Sequence, residues 1–155
     1  MKWIINAVTF FNAIMQKPMP VVDLLIRLAV ADVFWKSGIN KIQSWDSTLI
    51  LFEYEYAVPL LSPFIAAAIG TAAELVLPVM LALGLGSRFA ATGLFIFNII
   101  AVISYPDLSD SGRQFHILWG LLLAVTATRG GGCLSLDAVI ERVWNNRQSP
   151  YAGNM

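Results

Sequence analysis

The sequence predicts an all-α fold: an integral membrane four-helix bundle with both termini on the cytoplasmic side. Composition, four long apolar stretches and the placement of Lys and Arg between them carry that expectation. Of the 155 residues, 57% are hydrophobic and 13% charged, and the mean hydropathy is +0.69. A soluble domain carries about 25% charged residues. A chain this short has too much surface for its volume to hide the apolar surplus, so membrane lipids are its expected surroundings. Ten basic residues balance ten acidic ones, and no polybasic footprint argues for nucleic acid. Cys133 is the single cysteine, which excludes an intrachain disulfide and a thiolate zinc or iron–sulfur site.

Taken in order, residues 1–18, MKWIINAVTFFNAIMQKP, begin like a signal peptide with Lys2 before an apolar run. Asn6 and Asn12 break that run and no small-x-small cleavage pattern follows, so the segment reads as a retained interfacial arm or helix. Residues 19–130 hold the four spans. The first, Met19 to Ile39, carries Asp23, Arg27, Asp32 and Lys36 and is the weakest. The second covers Pro59 to Leu83 and the third Arg88 to Tyr105. The fourth, Phe115 to Thr128, needs its flank from Ser111 onward to reach the ~20 residues that a bilayer core requires. Spans this few and continuous suit helices, not a closed barrel. In residues 131–155, a cytoplasmic tail, Leu136, Val139, Ile140 and Val143 recur at helical spacing within Leu134 to Trp144. That is the pattern of a short amphipathic helix on the membrane surface.

The loops fix a direction. Lys2, Lys17, Arg88, Arg129, Arg142 and Arg147 fall on one side, against Lys41 and Arg113 on the other. The positive-inside bias puts the first set, and both termini, in the cytoplasm. Trp35, Trp45, Tyr54, Tyr56 and Tyr105 are then expected at or near the outer interface.

Polar groups inside the spans mark candidate function. GTAAELVLPVMLALGLG, from Gly70 to Gly86, has one charge, Glu74. Arg27 lies ~12 Å from the inner end of span one and Glu74 ~15 Å from that of span two, at 1.5 Å per residue. The depth match predicts an Arg27–Glu74 salt bridge, although Asp23 is a second candidate partner for Arg27. The same counting layers Asp32 with Asn98 at mid-membrane and Lys36 with His116 further out, while Asp32 and Lys36, spaced i,i+4, can also neutralise one another. Arg27, Asp32, Glu74, Asn98 and His116 are thus the candidate polar core or ligand pocket, and fixing helix order accounts for the charged pairs equally well. Pro78 removes an amide one turn after Glu74 and frees a carbonyl toward that pocket. A lone imidazole falls short of a structural metal site, so none is expected. His116 then reads as a proton-handling group or a structural hydrogen bonder. Cys133 follows three glycines whose turn either offers amides to an anion or simply ends the helix.

Three blocks, LLIRLAVADVFWKSGINKI, GTAAELVLPVMLALGLGSRFAATGL and FHILWGLLLAVTATRGGGCLSLD, resemble the successive blocks of the DoxX family of small bacterial membrane proteins. The likeness runs from Val21 to Asp137. It rests on Arg27, the G-x-x-K segment Gly38 to Lys41, Glu74, the turn residue Arg88, and the closing stretch Gly130 to Asp137, where Cys133 replaces the residue of many members. The resemblance implies a four-helix, multi-pass protein of the bacterial inner membrane. It also implies a link to quinone or redox metabolism, since some members are subunits of thiosulfate:quinone or terminal quinol oxidoreductases. Others accompany oxidative-stress defence or metal-linked peptide maturation. The expected cofactor is ubiquinone or menaquinone, with no built-in haem, flavin or iron–sulfur site. The expected partners are further copies or redox and maturation proteins. The competing classes are a small permease, for which polar groups at several depths would line a path, and an assembly or structural protein without redox chemistry.

Overall fold

The computed structural model describes residues 1–56, 58 and 60–148, and these form seven α-helices and no strand. α1 (Lys2–Gln16) buries none of its residues. The chain then enters α2 (Met19–Gln43) with Pro20 in the first turn, where a missing amide costs nothing. α2 has 25 residues, ~37 Å of helix, and runs beyond the predicted limit at Ile39. Ser37, Gly38 and Lys41 are therefore all helical.

α3 (Trp45–Tyr54) occupies what reads in the sequence as an outer connection. Its Thr48 and Phe52, one turn apart, are buried, and the Thr48 hydroxyl donates to the Lys41 carbonyl at 3.0 Å. α4 (Pro63–Leu83) starts on a proline and stops where Gly84 turns left-handed, φ 71°. Pro78 inside α4 cannot donate to the carbonyl of Glu74, four residues back. After the Gly84–Gly86 turn comes α5 (Ser87–Ser104). α6 (Asp110–Arg129) begins before Phe115, which supplies the missing flank, and is capped by Ser109, whose hydroxyl accepts from the Gly112 amide at 3.2 Å. α7 (Leu136–Gln148) follows, displaced slightly from the expected Leu134–Trp144.

α2 packs against α4, α4 against α5, α5 against α6, and α6 back against α2, while α3 lies over α4 and α2. One core joins Val30, Ala31 and Phe34 of α2 to Leu81, Ala90, Leu94 and Leu123; a smaller one joins Phe52 to Ala66 and Ala67 under α3. α4 and α5 are long and apolar enough to cross a membrane by themselves, and only 39% and 33% of their apolar stretches are buried. A soluble core helix buries far more of itself. The outward faces are apolar instead, with Val76, Ile96 and Ile103 exposed. α2 and α6 are of comparable length but carry more charge.

Close approach sets the register of α2 on α4. A Cβ on Gly38 would stand 3.0 Å from the Leu75 side chain and 3.1 Å from the Glu74 backbone. Gly38→Val should force the helices apart and cost about 1–3 kcal/mol, the scale of overpacking. Thermal unfolding in mild detergent reads this directly; an unchanged midpoint would show that the contact has slack.

Candidate functional site

Because Gly38 sits against Leu75 and the Glu74 backbone, the side chains one residue before it and three after it flank the carboxylate. Lys41 Nζ donates to Glu74 Oε2 at 2.6 Å and to Ser37 Oγ at 2.9 Å, and Ser37 Oγ donates to Glu74 Oε1 at 3.2 Å. The Lys41 and Glu74 side chains are 14% and 6% exposed, so this is a buried ion pair. The expected Arg27–Glu74 bridge does not form. Arg27 lies eleven residues before Gly38 on α2, ~16 Å along the axis at 1.5 Å per residue. Lys41 looked like a loop residue, yet helical side chains lean toward the N-terminus, which brings its ammonium down to Glu74.

Three cavities meet at Lys41 and Tyr56. One, of about 210 Å³, is walled by Phe34, Phe97, Trp119 and Tyr105, with Ser37, Lys41, Glu74 and His116 supplying polar atoms. A second, of about 130 Å³, shares Lys41, Tyr56, Glu74 and Phe97 and leads past Gly70 to Leu61, just before α4, and to Ile69 and Ile100 on α4 and α5, all three exposed. A third is an open, polar recess lined by Asn40, Ser44, Ser47 and Thr48. Tyr56 packs edge-on against Phe52 and Tyr105, at 4.8 and 5.2 Å between ring centres. Burial and then the Glu74 charge push its hydroxyl up from the ordinary value, so it stays a neutral donor. The Ser104 hydroxyl lines the second cavity, buried and without a hydrogen-bond partner among the described residues.

Asn98 and His116 form their own unit, separate from the layers expected with Asp32 and Lys36. Asn98 Nδ2 donates to the His116 carbonyl at 2.9 Å, and Asn98 Oδ1 lies 2.7 Å from His116 Nδ1. The carboxamide oxygen can only accept, so Nδ1 carries the proton and neutral His116 keeps its Nε2 lone pair. Asp32 and Lys36 pair with one another at 2.6 Å on the outside of α2, 56% and 70% exposed. They do not line the cavities around Glu74. Trp35 lies in a shallow groove with Pro78, Val79 and Leu83.

Arg27 is fully buried at the Gly84 end of the helices. It donates to the carbonyls of Leu81 at 3.0 Å, Ala82 at 3.4 Å and Leu134 at 2.6 Å, and the missing Cβ of Gly84 leaves room for its guanidinium. Asp137 closes the same end, accepting from the amides of Gly86 and Ser87 at 2.7 and 2.8 Å and the Ser87 hydroxyl at 2.7 Å. Desolvation raises the Asp137 pKa, but those hydrogen bonds and the Arg27 charge outweigh it, and the group titrates below its ordinary value. Asp23, the other candidate for Arg27, pairs with Arg129 at 3.2 Å. Among the described residues no three His, Cys, Asp or Glu side chains converge to hold a metal ion.

Sequence reasoning placed Glu74, Asn98 and His116 in the polar interior and missed Lys41, Ser37 and Tyr56. The i,i+4 spacing of Ser37 and Lys41 was the available signal. A family model described as DoxX matches residues 22–106, more than half of the chain. A protein of Haemophilus influenzae, described only as an uncharacterized protein, is 28% identical over 128 residues, covering 78% of this chain and 84% of the relative. No solved structure matches.

Proposed function

The chain belongs to the DoxX family, and from that premise we propose that it is a quinone-binding membrane subunit linked to redox metabolism. α2, α4, α5 and α6 would cross the bacterial inner membrane in alternating directions, both termini inside. The basic residues support this: Lys17, Arg88, Arg129, Arg142 and Arg147 all lie at or beyond the Gly84 end of these helices.

The observation that carries the reading is the aromatic-walled cavity beside the Lys41–Glu74 pair and its continuation to the lipid-facing residues Leu61, Ile69 and Ile100. At about 210 Å³ it is smaller than the usual ~300–1,000 Å³ small-molecule site and suits a single ring. A head group that hydrogen-bonds and a tail that dissolves in lipid fit the two chambers respectively. Lys41 Nζ would donate to one ring oxygen, and the His116 Nε2 lone pair would accept from the hydroxyl that the other ring oxygen carries in the reduced, quinol form; both residues line this cavity. Ser37 and Glu74 fix the ammonium in place, and Asn98 fixes the imidazole tautomer. His116 Nε2 is then the atom that takes up or returns a proton. A bound quinone would supply two-electron, two-proton redox chemistry, its electrons exchanged with a partner protein.

Protein purified in mild detergent should carry ubiquinone or menaquinone in its extracted lipid, and His116→Ala should weaken binding of the quinol form roughly tenfold, the worth of one hydrogen bond. Absence of quinone together with no saturable binding of added quinone would refute the proposal. Solute flux in proteoliposomes that stops in Glu74→Gln and needs no electron acceptor would replace it with a permease.

A further inference from the structure

A separate site lies at the opposite end of the helices. A cavity of about 740 Å³ opens between the start of α5, the end of α6 and the first turns of α7, with Arg88, Arg129 and Arg142 in its wall beside Gly130–Gly132. Its charges do not cancel. The Asp137 carboxylate is turned into the protein, with both oxygens taken by Gly86 and Ser87, and Arg129 is held by Asp23 at 3.2 Å. Arg88 and Arg142 have no acidic partner within 4.0 Å among the described residues, and Glu141 is the one carboxylate left to oppose them. Two free guanidiniums against one free acid leave the groove cationic.

Its depth is equally specific. The groove begins where α4 ends and α5 starts, the two helices apolar enough to cross a membrane, so it stands at the level of lipid headgroups. An apolar track descends from it along α5: Phe89, Ile96, Ile100 and Ile103 are exposed at helical spacing, Phe89 at 69%. α7, on the other side, exposes Val139, Ile140, Val143 and Trp144.

We propose that this groove is a binding site for an anionic phospholipid, its phosphodiester held by Arg88 and Arg142 and its acyl chain laid along the Phe89–Ile103 face of α5. Arginine matches phosphate oxygens in a bidentate fork, and the apolar track below the charges is of use to a lipid but not to free phosphate. A zwitterionic headgroup would set its own cation against the guanidiniums. The site rests on the chain being a membrane protein and is independent of quinone binding.

Delipidated protein in mild detergent is titrated with phosphatidylglycerol, phosphatidylcholine or inorganic phosphate, and bound lipid is counted by native mass spectrometry. Phosphatidylglycerol should bind roughly tenfold more tightly than phosphatidylcholine, and inorganic phosphate should not displace it. Each basic residue near an anionic lipid contributes about fivefold in affinity, so Arg88→Gln with Arg142→Gln should weaken binding roughly twenty-fivefold. Arg147→Gln, on α7 outside the groove, should leave it unchanged. Equal binding of the two lipids by the wild-type chain, or undiminished binding by the double variant, overturns the proposal. Displacement by inorganic phosphate overturns the lipid and leaves a site for a soluble anion.

Discussion

Glu74→Ala is expected to destabilise the protein by about 3–5 kcal/mol, the scale of breaking a buried pair while leaving one charge behind. The charge left behind is Lys41, whose side chain is 14% exposed and whose remaining partner would be the Ser37 hydroxyl. Glu74→Gln keeps one acceptor oxygen, for Lys41, and turns an amide donor toward the Ser37 hydroxyl, which can accept in its place; it should lose less, about 1–3 kcal/mol. Reversible unfolding in mixed micelles gives these values. Replacing both partners, Lys41→Met with Glu74→Leu, should recover most of the stability, because two apolar groups of similar volume remove both desolvation penalties together. The same double variant should lose ligand binding. Recovered stability with intact binding would reduce the pair to structural glue.

Arg27→Ala should be as severe, again about 3–5 kcal/mol, for a different reason. Three carbonyls from two separate parts of the chain converge on this one side chain, and Asp137 loses a nearby positive charge. Arg27→Lys should recover only part of the loss, since an ammonium lacks the planar fork that reaches the Leu81 and Leu134 carbonyls at once. Limited proteolysis separates this from a general loss of stability. Cleavage should appear first between Gly130 and Asp137, where the Leu134 anchor has gone; cleavage spread evenly over all loops would contradict the assignment.

The four apolar stretches were legible as helices because long apolar runs are themselves the signal, and they correspond to α2, α4, α5 and α6, of which α4 and α5 are apolar enough to cross a membrane. The pairing of charges was not. Counting depth from the inner end assumes that two helices start level and that side chains point straight outward. Gly38 against Leu75 fixes another register, and the Arg27 side chain reaches toward its helix's own start, to carbonyls at the end of α4. Lys41 reads as a loop residue if α2 ends at Ile39, whereas the helix continues to Gln43. α3 escaped notice because its pattern is short, and only Thr48 and Phe52 mark its buried side. Asn98 is buried and His116 half-buried beside it. Their mutual bond depends on how α5 and α6 lie against each other, which no local pattern states.

The bonding of Arg27 also dictates an order of assembly. α2 leaves the ribosome carrying a guanidinium whose first acceptor, Leu81, is 54 residues further on and whose shortest bond, to Leu134, spans 107. At about 5–20 residues per second, α2 spends several seconds as a nascent helix with an unmet cation. It must wait in water, or at the surface of the insertion machinery, until α4 arrives. The bond is completed only after α6 has been made. A nascent chain stopped before Leu134 therefore leaves this arginine without its shortest bond, a mark by which a membrane protease could tell an unfinished molecule from a finished one.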